Sequence, residues 1–82
     1  MKNIRLMPDG SYVNLDKVVM IGKLNHNYLE DRAFCEIFLE DRDEPIDITL
    51  ARQMGDWQRG DYETTKLYGE GCYKSIVNQW KR

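Results

Sequence analysis

The chain has 82 residues, which is enough for one hydrophobic core and too few for two, so residues 1–82 are expected to form a single domain. A composition of 41% hydrophobic and 32% charged residues is that of a folded globular protein and excludes a disordered chain. The net charge of −2 excludes any general attraction to nucleic acid or to anionic membranes.

Residues 1–8 contain no apolar core of a signal peptide. Within them, Ile4 and Leu6 alternate with Asn3, Arg5 and Met7, a period of two that predicts a short strand. Pro8-Asp9-Gly10 is turn chemistry, and residues 11–15 return as a second strand with Val13 and Leu15 inward. After a brief turn, residues 18–24 are β-branched-rich and apolar on both faces, which predicts a central strand.

A polar loop is expected from Asn25 to Arg32, followed by a strand over 33–40 with the clearest alternation in the chain. Cys35, Ile37 and Leu39 share its inner face, and Phe34, Glu36, Phe38 and Glu40 the outer one. The turn Asp41-Arg42-Asp43-Glu44-Pro45 leads into residues 46–50, with Ile46, Ile48 and Leu50 inward, so 33–50 is a hairpin. Leu50, Met54 and Trp57 then recur at helical spacing, and the pattern of 61–69 does not decide between strand and loop. Gly69-Glu70-Gly71 is expected to break the chain before a helix over 72–81, whose apolar stripe is Tyr73, Ile76, Val77 and Trp80. Lys81 and Arg82 suit its C-terminus.

Strands followed by a helix place the chain in the α+β class: an antiparallel sheet of about five strands packed by a C-terminal amphipathic helix. A helix-capped half-barrel of the pleckstrin-homology kind is a related architecture. The stretch Gly10-Ser11-Tyr12-Val13-Asn14-Leu15-Asp16-Lys17-Val18 resembles a strand-turn-strand found in small proteins of bacteria and their phages. It implies a similar origin and carries over no functional residue. No stretch approaches the roughly 20 apolar residues of a bilayer span, so no membrane association is expected. Two cysteines outside any Cys-x-x-Cys pair suit a reducing cytoplasm.

For catalysis, the single histidine, His26, needs Cys35 or Cys72 as a spatial partner. Cys35 alternates with core residues, and no base flanks Cys72, so no enzyme is expected. No cofactor or metal is expected either: the carboxylates of 40–47 lack the EF-hand pattern and contain Arg42, and one His with two distant Cys lacks zinc spacing.

The charge layout says more. Residues 30–47 hold eight acids against Arg32 and Arg42, a local −6, which leaves +4 for the rest of the chain. Asp41, Asp43 and Glu44 at the hairpin tip suit a basic partner, or simply guard a sheet edge. Phe34 and Phe38, on the outer face, need cover from the segment around Trp57 or else form an interaction or homodimer surface. Trp57, Arg59, Tyr62 and Tyr68 are residue types enriched in binding hot spots. The expected function is therefore a small protein-binding or regulatory domain. The alternative is a nucleic-acid-binding accessory protein using Lys66, Lys74, Lys81 and Arg82, disfavoured by so sparse a basic footprint on an acidic chain.

Overall fold

A computed structural model describes residues 3–52 and 62–81, without the side chain of Tyr62. The first hairpin pairs β1 (Ile4–Leu6) with β2 (Tyr12–Asn14) in antiparallel register, Arg5 opposite Val13. Its turn is built as the sequence suggests. The Asp9 carboxylate accepts from the Ser11 amide at 3.0 Å, and Gly10 adopts φ 92°, the left-handed region that glycine enters without strain. The inner face carries Arg5 and Val13, with Met7 buried just beyond β1; Ile4, Leu6 and Tyr12 face water. Arg5 reaches the terminal helix, donating to Gln79 Oε1 at 2.6 Å and Ser75 Oγ at 3.1 Å, which is why a cation occupies an inward position.

After a 3-10 turn (Leu15–Lys17) capped by Asn14, four strands form the main sheet. They are β3 (Val18–Ile21), β4 (Asn25–Asn27), β5 (Arg32–Leu39) and β6 (Ile46–Arg52), all antiparallel to β5 where they pair. The described residues form six strands, where the alternation suggests about five.

Two positions differ from expectation. The apolar run 18–24 does not lie centrally: β3 is half of an edge, pairing only the C-terminal part of β5, and Val19 and Met20 are exposed. Residues 25–27, expected in a loop, supply the other half of that edge against the N-terminal part of β5. Their polarity serves the strand end, since Asn27 Oδ1 accepts from the Leu29 and Glu30 amides and closes the following turn. The central strand is β5, with β3 and β4 on one side and β6 on the other.

The helix α1 spans Tyr62–Lys81, 20 residues. It settles 62–68 as helix and runs straight through Gly69-Glu70-Gly71, the expected break. Gly69 is there for proximity: a Cβ at this position would lie 2.5 Å from the Ala33 Cβ, so only glycine lets α1 sit down on β5. The buried or part-buried stripe thus reads Thr65, Gly69, Cys72, Tyr73, Ile76, Val77 and Trp80, the spacing of one helical face. Tyr73 Oη donates to the Gly22 carbonyl at 2.9 Å, and Trp80 Nε1 donates to the Val18 carbonyl at 3.2 Å.

The core between sheet, hairpin and helix is Met7, Val13, Leu15, Val18, Cys35, Ile37, Ile48, Leu50 and Ile76. Leu50 points inward from β6 rather than opening a helix; Met54 and Trp57, which shared its spacing, lie outside the described residues. No described helix is long and apolar enough to cross a membrane.

Candidate protein-binding site

The β5–β6 hairpin brings its acidic tip and its outer face together. Asp41, Asp43 and Glu44 are all exposed in the turn between the strands. Lys17 Nζ stands 3.4 Å from Asp41 Oδ2 with both side chains about half exposed, a weak surface contact.

On the outer face, Arg32, Phe34, Glu36 and Phe38 alternate along β5. The Arg32 guanidinium lies 4.4 Å from the Phe34 ring centroid and holds Asp47 with two bonds, Nη1 to Oδ1 at 3.0 Å and Nη2 to Oδ2 at 3.2 Å. It also donates to Thr49 Oγ1 at 2.8 Å. The hydrogen bond to Asp47 holds the guanidinium further above its ordinary pKa. Phe34 is therefore half-covered by a cation, and Phe38 is half-buried opposite the exposed Met20. Cover by the Trp57 segment lies outside the described residues, as do Trp57 and Arg59 themselves; Tyr62 opens α1, its side chain not described.

The outer edge of β6 is the least expected part of the site. Among the described residues β6 pairs with β5 alone. A groove of about 390 Å³ follows its first half, with residues 11–14 on one side and 46–48 on the other, and Asp9, Lys17, Asp41 and Arg42 around them. A second, of about 610 Å³, follows Thr49 to Arg52 and is walled by Pro8, Asp9, Tyr68 and Cys72. Tyr68 is exposed there, apart from the acidic tip but along the same strand edge. Sequence patterning placed Asp41, Asp43, Glu44 and Tyr68 among the candidates but gave no sign of the edge that links them. Whether a strand is paired on its second side is not written in its own residues.

A buried polar cluster lies elsewhere, under the first turns of α1. His26 Nε2 lies 2.9 Å from Asp31 Oδ1, and Thr65 Oγ1 donates to Asp31 Oδ2 at 3.1 Å. Asp31 has φ 48°, a left-handed conformation that Asp tolerates better than most residues. Beside it, Lys66 Nζ donates to Tyr28 Oη at 2.8 Å, which raises the Lys66 pKa. That contact occupies one of the basic groups considered for nucleic acid.

The imidazole Nε2 that would serve a cysteine is thus engaged by a carboxylate. Cys35 is fully buried, and burial pushes its thiol up to about 11. Among the described residues no three His, Cys, Asp or Glu side chains gather as a metal site. The cluster's role is visible as structure: it ties the β4–β5 turn to the helix. Comparison with protein-family models, with curated proteins and with solved structures finds no match.

Proposed function

We propose that the chain is a small, non-enzymatic protein-binding domain that meets its partner along β6 and the acidic β5–β6 turn. The observation that carries this is that β6, unpaired on its second side among the described residues, has a cluster of exposed carboxylates at one end. An open edge is a liability that a folded protein normally shortens, covers or guards. Here the edge runs seven residues and lies in grooves on both halves, a shape suited to receiving something. Asp41, Asp43 and Glu44 give the approach a negative field, which raises the encounter rate with a basic partner and fixes its orientation more than it adds affinity. Tyr68 offers an aromatic contact at the far end of the same edge. The proposal places the protein in the cytoplasm with both thiols reduced.

The test is capture from a host lysate by the immobilised protein and by the triple variant Asp41→Lys/Asp43→Lys/Glu44→Lys. A partner retained saturably by the first and lost from the second, more so at low salt, is the expected result. Equal retention by both would remove the acidic turn from the function.

A further inference from the structure

We infer that the partner is held by strand addition: a basic, extended segment of another protein pairs with β6 as a new strand of the main sheet. This rests on the protein-binding proposal and names how the partner is held. The backbone directions decide it. The Gly22 amide donates to the Glu36 carbonyl at 2.7 Å, so the backbone groups of Glu36 point toward the β3/β4 side. In an antiparallel ladder bonded and non-bonded pairs alternate, so Glu36 opposite Asp47 is a non-bonded pair of β5 and β6. The N–H and C=O of Asp47 consequently face away from β5, into the first groove. Phe34 opposite Thr49 has the same parity, and Thr49 presents its backbone to the second groove.

The two grooves follow β6 in turn, the first beside Ile46, Asp47 and Ile48 and the second beside residues 49–52. The carboxylates of the turn favour a basic extended segment over a second copy of this chain, whose own turn would bring the same acids against them.

The chemistry of the occupant follows from the two sides of the sheet. Inward-pointing side chains of an added strand meet the part-exposed Ile46 in the first groove and Cys72 in the second, so alternate residues are apolar. The others emerge near the acidic turn. With the Lys17–Asp41 and Arg32–Asp47 pairs set aside, Asp9, Glu40, Asp43 and Glu44 remain against Arg42 and Arg52, four acids to two bases, and the acids gather at the turn end. Alternating apolar and basic residues is the motif that fits.

The experiment uses a capped peptide, acetyl-Lys-Val-Thr-Val-Lys-Val-Thr-Lys-amide, and a control with Glu for Lys, titrated into the 82-residue protein while amide exchange is followed by NMR. Saturable binding of the Lys peptide with exchange at Asp47 and Thr49 slowed about tenfold or more is expected, and no binding of the Glu peptide. A proline at an open edge removes only the N–H that a new strand needs. Asp47→Pro should therefore bind the Lys peptide about tenfold more weakly than Asp47→Ala, which loses the same pairing with Arg32 but keeps the amide. Should Asp47→Pro not fold, the wild-type exchange pattern still decides the matter.

Peptide binding that leaves both amides unchanged would overturn strand addition, as would equal affinity of the two Asp47 variants or no saturable binding of the Lys peptide. So would protection of the same amides by self-association in sedimentation equilibrium. If lysate capture still depends on Asp41, Asp43 and Glu44 while the Asp47 amide stays unresponsive, the protein-binding proposal survives and strand addition does not.

Discussion

Gly69 and Gly71 lie two residues apart in the same helix, and replacing each with alanine should move stability in opposite directions. Alanine is favoured over glycine inside a helix by about 1 kcal/mol, and at Gly71 nothing lies within 4 Å of the new methyl. Gly71→Ala should therefore stabilise by about that amount. At Gly69 the same gain meets a methyl 2.5 Å from the Ala33 Cβ. Carbon atoms rest about 3.5–4.0 Å apart, so α1 and β5 have to separate by about 1 Å. The Ala33 Cβ is fixed to the central strand, and no rotamer relieves the contact.

Overpacking of this kind costs about 1–3 kcal/mol. A gap of 0.5–1 Å along the rest of the seam forfeits roughly a quarter to a half of each contact there, which pushes the cost to the top of that range. The net is a destabilisation of about 1–2 kcal/mol for Gly69→Ala. In urea, with a slope of about 1 kcal/mol/M for a domain of this size, the two variants should have midpoints about 2–3 M apart, one on either side of wild type. Adding Ala33→Gly to Gly69→Ala should recover part of the loss, although it weakens wild type on its own. A midpoint for Gly69→Ala raised like that of Gly71→Ala would refute the close approach of α1 to β5.

Thr65→Val keeps the shape of a fully buried side chain but leaves Asp31 Oδ2 without its hydroxyl donor, and should lower unfolding stability by about 1–3 kcal/mol in the same assay. Arg32→Ala removes the paired bonds to Asp47 and the cation over Phe34, both at a partly exposed site, and should cost about 1 kcal/mol, part of it already lost to salt in wild type. Because the Cys35 thiol titrates near 11 when folded and near 9 when exposed, the folded state holds the proton more tightly. Stability from this group is complete below pH 9 and lost as pH rises toward 11, and Cys35→Ala should flatten that fall relative to wild type in alkaline urea titrations. At pH 8 an alkylating reagent should modify Cys72 in the folded protein and Cys35 only on unfolding, followed by mass spectrometry.

The parts of the fold legible in advance are those where one face is plainly apolar. Cys35, Ile37, Ile48 and Leu50 alternate with charged, polar or aromatic neighbours, and the β5–β6 hairpin was expected from them. The stripe Tyr73, Ile76 and Trp80 declared the last turns of α1 in the same way. The first half of that helix was hidden because its contact residues are Thr65 and Gly69, chosen for a hydrogen bond and for thinness and invisible to a search for hydrophobic spacing. The central position assigned to 18–24 failed for a related reason. An apolar run signals two covered faces only if something covers them, and Val19 and Met20 are left in water. In β4 the polar side chains satisfy a turn rather than mark a loop, so Asn25-His26-Asn27 carries no strand signal of its own.

The acidic turn belongs to both accounts that the sequence left open, edge protection and partner binding, and the backbone geometry joins them. Charge beside an exposed strand repels other copies of the same strand, and that is how it keeps a protein from aggregating. The repulsion acts on acidic strands and not on basic ones. Under the strand-addition proposal, a guard of Asp41, Asp43 and Glu44 at the entrance to β6 would act as a filter, excluding self-pairing while admitting an extended segment of opposite charge. A purely protective edge would gain nothing from grooves beside it, since filling or shortening them would remove the hazard outright. Neutralising the turn with Asp41→Asn/Asp43→Asn/Glu44→Gln separates the two roles. A filter predicts both weaker capture of the basic partner and new self-association at high concentration, whereas protection alone predicts only the second, and sedimentation beside the capture assay reads both.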